Sequence, residues 1–310
     1  MIQDRLEITE TSFTNGSAVL VIGGANVDIK GRSHGSLIPE TSNPGTVWKS
    51  PGGVGRNIAH NLAVLGVPVR FLSAFGKDSE GDWLREGLQT CGVDTMPSRV
   101  FPDTPTSTYL AVVDSCGELS VAVSAMSIVE KLQPDMVLPI VQGLQDIGLI
   151  CVDTNLPTET VACVCGYGQD RGIPVVCDPV SVAKAQGVRD LIGRMYAVTP
   201  NQDELAALSG LSVASPEDVV RASRALIDGG TRIVVTTRGV NGSIVVTRGE
   251  SITVPAVPTR VVDVTGAGDA FTAGFAAGLM KGYPPDEAAA YGHQLSAQVV
   301  QSRASVLAAH

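Results

Sequence analysis

The sequence predicts an α/β protein with a doubly wound, mostly parallel sheet, helices on both faces of that sheet, and a small β-sheet lid. Three observations predict this fold class. Short apolar runs typical of buried strands alternate with helical segments over most of the 310 residues, an order that favours a parallel sheet. A strand-turn-strand pattern interrupts the alternation. Glycine-rich turns precede two helices, and such turns let backbone approach a ligand closely.

Composition restricts the function classes. The chain is 44% hydrophobic and 17% charged, with a net charge of −9, which is typical of an ordinary globular protein and argues against a nucleic-acid or anionic-membrane surface. Six cysteines show no CxxC or Cys/His zinc spacing, so we expect free thiols. Residues 1–16 do not resemble a secretory signal, and no apolar run approaches the roughly 18 residues of a spanning helix. We therefore expect a cytoplasmic protein with no membrane or nucleic-acid partner.

We predict an N-terminal tail at residues 1–17 and a single domain over residues 18–310. Apolar runs between turn residues predict the strands, at 18–22, 69–75, 148–152, 173–178, 197–199, 232–237 and 243–247. Apolar residues on one helical face predict helices at 58–65 and 79–91. Further helices are predicted in the alternating units at 158–170, 201–209 and 216–228, and at the end of the chain at 267–281 and 286–301. An apolar, β-branched segment at 252–264 leads into the helix that starts at 267.

Asn26 and Asp28 follow the first strand at its carboxyl end, the edge of an open α/β sheet where ligands bind. Alternate residues of an extended chain point the same way. A neutral and a charged acceptor so placed would suit a polyol. The alternative is a solvated turn.

Two segments are predicted to form the lid strands, about 30–50 and 99–125. The first has Gly, Ser and Pro punctuation and no helical period, and the second contains strand-turn-strand signals at 107–113 and 118–123. A small sheet over a sheet edge would close over a ligand. Its exposed face or edges would also allow pairing into a homodimer.

Pro51–Asn57, with three glycines, leads into the helix at 58–65. Asn57 in the first turn can donate to and accept from sugar hydroxyls. The segment is not Gly-x-Gly-x-x-Gly, and the chain lacks Gly-x(4)-Gly-Lys-Ser/Thr. A Walker-type nucleotide site is therefore excluded.

Asn201 and Glu204 stand one helical turn apart, so both can face one ligand. Glu204 would hold a hydrated Mg²⁺ through water. The alternative is an acidic residue at a helix start that serves the helix dipole. Thr236–Gly242 forms a strand end followed by a glycine-rich loop, which suits a nucleotide or, alternatively, an ordinary hairpin turn.

The stretch Val262–Asp269 organises the chain. The segment 252–264 is predicted as a strand, and Gly266 and Gly268 allow a tight strand-to-helix turn. The first N–H groups of that helix would bind an anion, and Asp269 beside them would take a proton from a hydroxyl. The alternative is an ordinary Asp cap after a glycine turn.

Three motifs in this order resemble the PfkB, or ribokinase-like, carbohydrate kinases. They are Gly52–Asn57, Asn201-x-x-Glu204 and Asp263–Asp269, and the resemblance covers about residues 18–302. It implies transfer of the γ-phosphoryl group of ATP, with Mg²⁺ and, as in many members, K⁺, to a primary hydroxyl of a sugar or nucleoside.

The resemblance also implies roles for individual residues. Asp269 is the implied base, and the implied anion hole consists of Gly266, Ala267 and Gly268. The implied sugar contacts are Asn26, Asp28, Gly53 and Asn57. The nucleotide side is matched by Asn201, Thr237, Gly239 and Gly242, with His293 near the adenine-side helix. Glu204 matches the Mg²⁺-linked glutamate, and Asp263 and Thr265 match the monovalent-cation loop.

Within the family the sequence is most similar to the pseudouridine kinases. The similarity lies in the segments 24–29, 33–34, 42–45, 51–57, 106–109, 153–155 and 178–181. Ribokinases usually carry Lys and Ala where Val54 and Arg56 stand, which argues against free ribose. Pseudouridine's base would lie against the lid, where Ser33 and Thr108 would read its imide edge. The stretch 119–126 departs from closer relatives, which often carry Asn or Asp before the Met.

The expected reaction is therefore phosphorylation of the ribose 5′-hydroxyl of pseudouridine. Alternatives within the family are ribokinase, inosine or adenosine kinase and fructose kinase. A catalytically silent nucleoside-binding protein is the alternative from another class, although the intact Asp269 speaks against it. A Rossmann oxidoreductase lacks its fingerprint in this sequence.

Overall fold

The structure is a computed structural model that describes residues 17–302 and 304–308. Of the predicted N-terminal tail, 1–17, residues 1–16 lie outside this description. The strands in chain order are β1 (Ala18–Ile22), β2 (Asn26–Ser33), β3 (Gly45–Gly52), β4 (Val69–Leu72), β5 (Ala74–Gly76), β6 (Arg99–Phe101), β7 (Thr108–Val113), β8 (Leu119–Ala125), β9 (Ile147–Asp153), β10 (Val175–Asp178), β11 (Ala197–Val198), β12 (Ile233–Thr237), β13 (Ser243–Val246) and β14 (Ser251–Val254).

The α-helices in chain order are α1 (Val54–Val64), α2 (Ser79–Thr90), α3 (Pro134–Gly143), α4 (Thr158–Arg171), α5 (Val182–Gly187), α6 (Gln202–Ser209), α7 (Pro216–Asp228), α8 (Ala267–Met280) and α9 (Pro285–Val299). Short 3₁₀ segments accompany them, at Ser127–Lys131, Arg189–Arg194 and Gly239–Asn241.

The main sheet confirms the predicted doubly wound, mostly parallel architecture. It has eight strands in the order β14-β13-β12-β11-β10-β9-β1-β4. The six strands from β12 to β4 run parallel, and β13 and β14 continue the sheet as an antiparallel edge. Because the parallel strands share one carboxyl edge, the loops that leave them meet there.

Helices cover both faces of this sheet, so its central strands are apolar throughout. In β1, Val19 and Val21 belong to one buried cluster, and Leu20 and Ile22 belong to a second cluster on the other face. Burial on both faces explains why β1 is a continuous apolar run rather than an alternating one.

The predicted lid is a separate four-stranded sheet in the order β3-β2-β7-β8. β2 pairs parallel to β7, and the other two pairs are antiparallel. The lid begins earlier than predicted, since β2 starts at Asn26 and β3 continues to Gly52. Residues 99–101, predicted as lid, instead form β6, which pairs with β5 in a two-stranded sheet.

The single strand predicted at 69–75 is divided at Ser73. The Ser73 N–H donates to the Oγ of Ser98 (3.0 Å), and the Ser73 hydroxyl donates to the carbonyl of Gly23 (2.7 Å). The backbone therefore leaves the main sheet after β4 and pairs with β6 through β5. Sequence analysis also assigned no element to α3 or α5.

The apolar segment 252–264 is a strand only as far as Val254. Pro255 and Pro258 follow, and proline cannot donate to a sheet ladder. The rest of the segment is a loop, with the side chains of Val262 and Val264 exposed. This loop crosses to α9, where the Val262 N–H donates to the carbonyl of Val300 (2.7 Å).

In the part of the chain that the structure describes, no helix combines the length and apolar character needed to cross a membrane. All six cysteines have free thiols.

Candidate active site

Two helix N-termini meet at the carboxyl edge of the main sheet. α1 follows Gly53 (φ 98°), and α8 follows Gly266 (φ 78°), a left-handed conformation that glycine adopts without strain. A Cβ on Gly53 would lie 2.5 Å from the carbonyl oxygen of Gly24, and one on Gly266 would lie 2.1 Å from that of Ser305. Both turns therefore require glycine, because backbone from elsewhere occupies the space of a side chain.

The start of α8 carries unpaired donors, as predicted, but their identity differs by one residue. The Ala267 N–H donates to the carbonyl of Val264 (3.1 Å), so that member of the predicted anion hole is already engaged. The N–H groups of Gly266, Gly268 and Asp269 have no hydrogen-bond partner among the described residues. The unpaired amides at this helix end would bind an anionic group.

Asp269 sits half-buried beside these amides. Its Oδ2 accepts a hydrogen bond from Nδ2 of Asn57 on α1. Burial raises the pKa of Asp269 to about 6, against the lowering effects of the Asn57 hydrogen bond and the charge of Arg56; the charges of Asp153 and Asp28 raise it further. The carboxylate is thus ionised at neutral pH and basic enough to accept a proton from a hydroxyl.

The side-chain oxygen of Asn57 is separate from the nitrogen that donates to Asp269. Its Oδ1 is buried and has no hydrogen-bond partner among the described residues. A buried amide oxygen of this kind is costly unless a donor reaches it. A hydroxyl of a bound sugar would supply such a donor, and Asp269 lies beside it because Asn57 Nδ2 donates to its carboxylate.

Asn26 and Asp28 lie on β2, so the solvated-turn alternative is wrong. Asn26 Nδ2 donates to Asp28 Oδ1 (2.6 Å), and burial raises the pKa of Asp28. A Cβ on Gly52 would lie 2.6 Å from Asp28 Oδ2, so the strand opposite makes room for this carboxylate. The charge of Asp28 acts on both Arg56 and Asp269, and these residues share one cleft.

The structure does not bring Ser33 and Thr108 to this cleft. Ser33 stands an odd number of residues from Asp28 along β2, and Thr108 pairs with Val27, so the alternation of strand side chains places both on the opposite face. The Oγ of Ser33 accepts from the Gly35 N–H (3.3 Å), and the hydroxyl of Thr108 donates to the carbonyl of Thr106 (3.3 Å). On the cleft face, Tyr109 pairs with Asp28 and Lys30 follows it along β2.

Asn201 and Glu204 form a reciprocal capping box at the start of α6. The Glu204 N–H donates to Asn201 Oδ1, and the Asn201 N–H donates to Glu204 Oε2, each at 2.9 Å. The alternative of an acidic residue that serves the helix start is therefore observed. The capping box engages Oε2 of Glu204 and leaves its Oε1 available. Burial raises the pKa of Glu204. This oxygen could order water around a hydrated cation.

The loop after β12 is shaped for a close backbone approach. Thr237 is tied to the 201 region, since its N–H donates to the carbonyl of Pro200 (2.9 Å). Gly239 and Gly242 have positive φ, and a Cβ on Gly242 would lie 2.0 Å from the carbonyl oxygen of Val254. Asn201, Thr237 and this loop therefore line one edge.

His293 is buried behind that loop rather than open to a ligand. Its Nε2 is 2.9 Å from the Oγ of Ser243, and its ring packs edge-on against Phe271 with centroids 4.8 Å apart. Burial lowers the pKa of His293 to about 4, so the ring is neutral. It supports the strand that follows Gly242.

Asp263 and Thr265 share a local turn, in which Asp263 Oδ1 accepts from the Thr265 N–H (2.8 Å). The loop also meets the end of α9, because the Asp263 N–H donates to the carbonyl of Val300 (3.3 Å). Among the described residues, no cluster of three or more His, Cys, Asp or Glu side chains could hold a metal ion.

Sequence reasoning included Asp153 and Asp178 in segments that carry the resemblance but assigned no role to these two buried carboxylates at the strand ends. Asp153 accepts hydrogen bonds from the N–H groups of Gly24 (2.8 Å), Gly55 (2.7 Å) and Asn155 (2.9 Å). It therefore fixes the β1–β2 turn against the start of α1. The available signal was an Asp directly after an apolar strand, Gly148–Val152.

Asp178 ends β10 and accepts from the hydroxyl of Thr272 (2.9 Å), which lies one turn along α8 from Asp269. Burial and the charges of Asp269 and Glu204 raise its pKa well above the usual range. Asp178, Asp269 and Glu204 therefore lie in one acidic region.

Comparison with known proteins agrees with this geometry. Residues 17–309 match the pfkB family of carbohydrate kinases. A pseudouridine kinase of Escherichia coli K12 is 36% identical over 86% of this chain and 85% of the relative. A guanosine-inosine kinase of Exiguobacterium acetylicum is 29% identical over 92% of this chain and 94% of the relative.

The fold is likewise shared with a solved structure, Arabidopsis thaliana ribokinase complexed with ribose and ATP. The TM-score is 0.83 and the identity 26%, over 94% of this chain and 95% of the other. The ribokinase-like fold is thereby confirmed. The chain belongs to the pfkB family of carbohydrate kinases, and it is a phosphotransferase that acts on an alcohol group of a sugar or nucleoside.

Proposed function

We propose that this protein transfers the γ-phosphoryl group of ATP to the ribose 5′-hydroxyl of pseudouridine. The observation that carries the reaction type is the Asp269 carboxylate, bonded to Asn57 and set beside the unpaired amides of α8. The similarity to the bacterial pseudouridine kinase supports the acceptor, and the Arabidopsis ribokinase complexed with ATP supports the donor.

In the proposed reaction, Asp28 and Asn57 accept hydrogen bonds from the ribose hydroxyls and fix the 5′-oxygen near Asp269. Asp269 accepts the 5′-hydroxyl proton as the bond from that oxygen to phosphorus forms and the bond to the ADP oxygen breaks. The amides of Gly268 and Asp269 donate to the phosphoryl oxygens. Catalysis is thus positioning and electrostatic stabilisation, as in phosphoryl transfer generally.

The donor side is assigned to Asn201, Thr237 and the Gly239–Gly242 loop, with His293 supporting the loop from behind. When bound, Mg²⁺ would neutralise the negative charge of the ATP phosphates. Glu204 would order its water shell through the oxygen left free by the capping box. Asp263 and Thr265 would hold a monovalent cation, K⁺ being the proposed one, near the start of α8.

The base of the acceptor would lie under the cleft face of the lid. Because Ser33 and Thr108 are on the other face, we assign the contact with the base to Lys30 and Tyr109, the neighbours of Asp28 on that face. The ammonium of Lys30 would donate to a base carbonyl, and the Tyr109 hydroxyl would donate or accept.

A panel of acceptors tests the proposal. ADP release would be measured in Mg²⁺ and K⁺ with pseudouridine, uridine, inosine, guanosine, adenosine, ribose and fructose, with Asp269→Asn as the matched blank. We expect the highest kcat/KM with pseudouridine. A preference for inosine or guanosine would reassign the chain to the activity named for its Exiguobacterium relative, and a preference for ribose or fructose would defeat the nucleoside assignment. Tight nucleoside binding with no ADP formed would favour a silent binding protein.

We also propose that the lid pairs with a second copy of the chain. Its face away from the cleft exposes four apolar side chains, Val47, Leu110, Val121 and Val123, and an apolar sheet face of this kind is typical of an association surface. A dimer by light scattering that becomes a monomer in Val123→Asp would support the pairing; a wild-type monomer at assay concentrations would contradict it.

We also propose a cytoplasmic location, with which the free thiols of the six cysteines agree.

A further inference from the structure

One charged side chain at the cleft is not used by the proposed reaction. Arg56, on α1 next to Asn57, is only 3% exposed. Burial lowers its pKa to about 10, and the charges of Asp269 and Asp28 oppose that lowering. Arg56 is therefore a buried cation at neutral pH, and its charge is compensated from the acceptor site.

The guanidinium connects three parts of the chain. Its Nε donates to the carbonyl of Gly52 (3.2 Å), and its Nη2 donates to the carbonyl of Pro51, both at the end of lid strand β3. The same Nη2 donates to the Oγ of Ser305 (3.5 Å) near the C-terminus. The lid base, α1 and the C-terminal segment 304–308 thus share one side chain.

The C-terminal segment is held by the same face of α1, one turn further on. The His60 ring pairs with the carbonyl of Leu307 (2.9 Å), and the Leu307 N–H donates to Oδ1 of Asn61 (2.9 Å). Ser305 in turn lies against Gly266, whose missing side chain leaves room for the Ser305 carbonyl. Arg56 therefore reaches the turn that begins α8 through this segment.

Apart from the charge of Arg56, the charges that shift the pKa of Asp269 are negative, and the ammonium of Lys30 acts on Asp28. Asp28 faces Asp269 from β2, Asp153 from β9 and Asp178 from β10. Arg56 is the positive charge that acts on it from α1. Loss of that charge would leave the carboxylate among like charges, which favour its protonated form.

We propose that Arg56 is a positioning residue of the acceptor site, which fastens the lid base and the C-terminal segment to α1 and offsets the acidic groups around Asp269. The inference rests on the proposed role of Asp269 as the base. A lysine would keep the charge but would not reproduce the fork of guanidinium hydrogen bonds.

Three variants test the proposal. Arg56→Gln removes the charge, and Arg56→Lys keeps the charge and removes the fork. Arg189→Gln is the matched control, since Arg189 also donates to a backbone carbonyl, that of Ser209 (3.1 Å), on an exposed surface away from the cleft. Each would be measured by the pH profile of kcat/KM from pH 5 to 8, and by ¹³C-carboxyl titration of Asp269 in the ligand-free protein, assigned with Asp269→Asn.

Arg56→Gln should move the acid limb and the carboxyl titration upward by about 1 pH unit or more, so that its activity at pH 5 falls about tenfold further than at pH 8. Arg56→Lys should keep the acid limb near its wild-type position and raise KM. Arg189→Gln should match the wild type. Equal losses at every pH in Arg56→Gln, with the Asp269 titration unmoved, would overturn the proposal.

If Arg56→Gln does not fold, Arg56→Lys still decides, since a wild-type KM there would refute the fastening role. If the wild-type protein phosphorylates no acceptor, the proposed function fails, and the titration of the ligand-free protein still tests the charge effect. The two proposals can therefore fail separately.

Discussion

The two glycines at the start of α8 should respond oppositely to the same methyl group. Gly266 has φ 78°, and a Cβ there would lie 2.1 Å from the carbonyl oxygen of Ser305. Gly268 is the second residue of the helix, and a Cβ there would meet nothing within 4 Å. Gly266→Ala is therefore a test of the fold, and Gly268→Ala is a test of the anion site.

For Gly266→Ala, the left-handed conformation alone costs an alanine roughly 1–2 kcal/mol, and displacement of Ser305 adds to that cost. A total of about 2 kcal/mol corresponds to a fall in Tm on the order of 4–8 °C for a domain of roughly 150–250 residues. For Gly268→Ala, replacement of a helical glycine should stabilise by roughly 0.5–1 kcal/mol. The added methyl would nevertheless stand beside the amides proposed to bind the phosphoryl group.

Thermal unfolding and ADP release would be measured on both variants. We expect Gly268→Ala to keep or raise Tm while kcat falls on the order of 10²-fold, comparable to the loss of one oxyanion donor. We expect Gly266→Ala to lose both stability and activity. Wild-type turnover in Gly268→Ala would refute the placement of the phosphoryl group, and a wild-type Tm in Gly266→Ala would refute the backbone reasoning.

Three further outcomes are expected. The pKa of Asp269 is raised to about 6, and the base must be ionised, so kcat/KM should fall tenfold per unit below about pH 6 and stay level above it; activity unchanged down to pH 5 would contradict this. Glu204→Gln should retain the capping box, since glutamine serves there as well, but the rate should require higher Mg²⁺ concentrations. An altered Tm with an unchanged Mg²⁺ dependence would contradict the assignment of Glu204 to the Mg²⁺ water shell. Asp153→Ala should lower the free energy of unfolding by several kcal/mol, because it leaves three backbone N–H groups without acceptors, and each costs about 1–3 kcal/mol when buried unpaired. Chemical denaturation measures this free energy, and a near-wild-type value would show that those amides find other partners.

The parallel sheet could be predicted from the sequence because its strands are buried on both faces. Ala18–Ile22 has no polar residue, and an apolar run of this length that ends at a glycine turn is typical of a buried strand. Pro255 and Pro258 carry a clear signal against a strand, yet the valines around them suggested one. The division at Ser73 depends on Ser98, which is 25 residues away along the chain, and no local pattern reports such a contact.

The candidate site could be predicted where chemistry and local spacing coincide. Gly266–Asp269 and Asn201–Glu204 are local patterns, and their geometry follows from the start of a helix. The face of the lid that Ser33 occupies could not be predicted, because it depends on where β2 begins, and a shift by one residue reverses every side chain. The contact of Arg56 with Ser305 spans 249 residues and is visible only in three dimensions.

The most direct test of the proposed role of Asp269 as the base in phosphoryl transfer is the turnover of Asp269→Asn, measured together with acceptor affinity by calorimetry. Asparagine preserves the size and much of the polarity of the side chain but cannot accept the proton. We expect kcat to fall by roughly 10²–10⁴-fold, with Tm retained and the acceptor Kd within a few-fold of wild type. Near-normal turnover in a folded Asp269→Asn protein would contradict the mechanism.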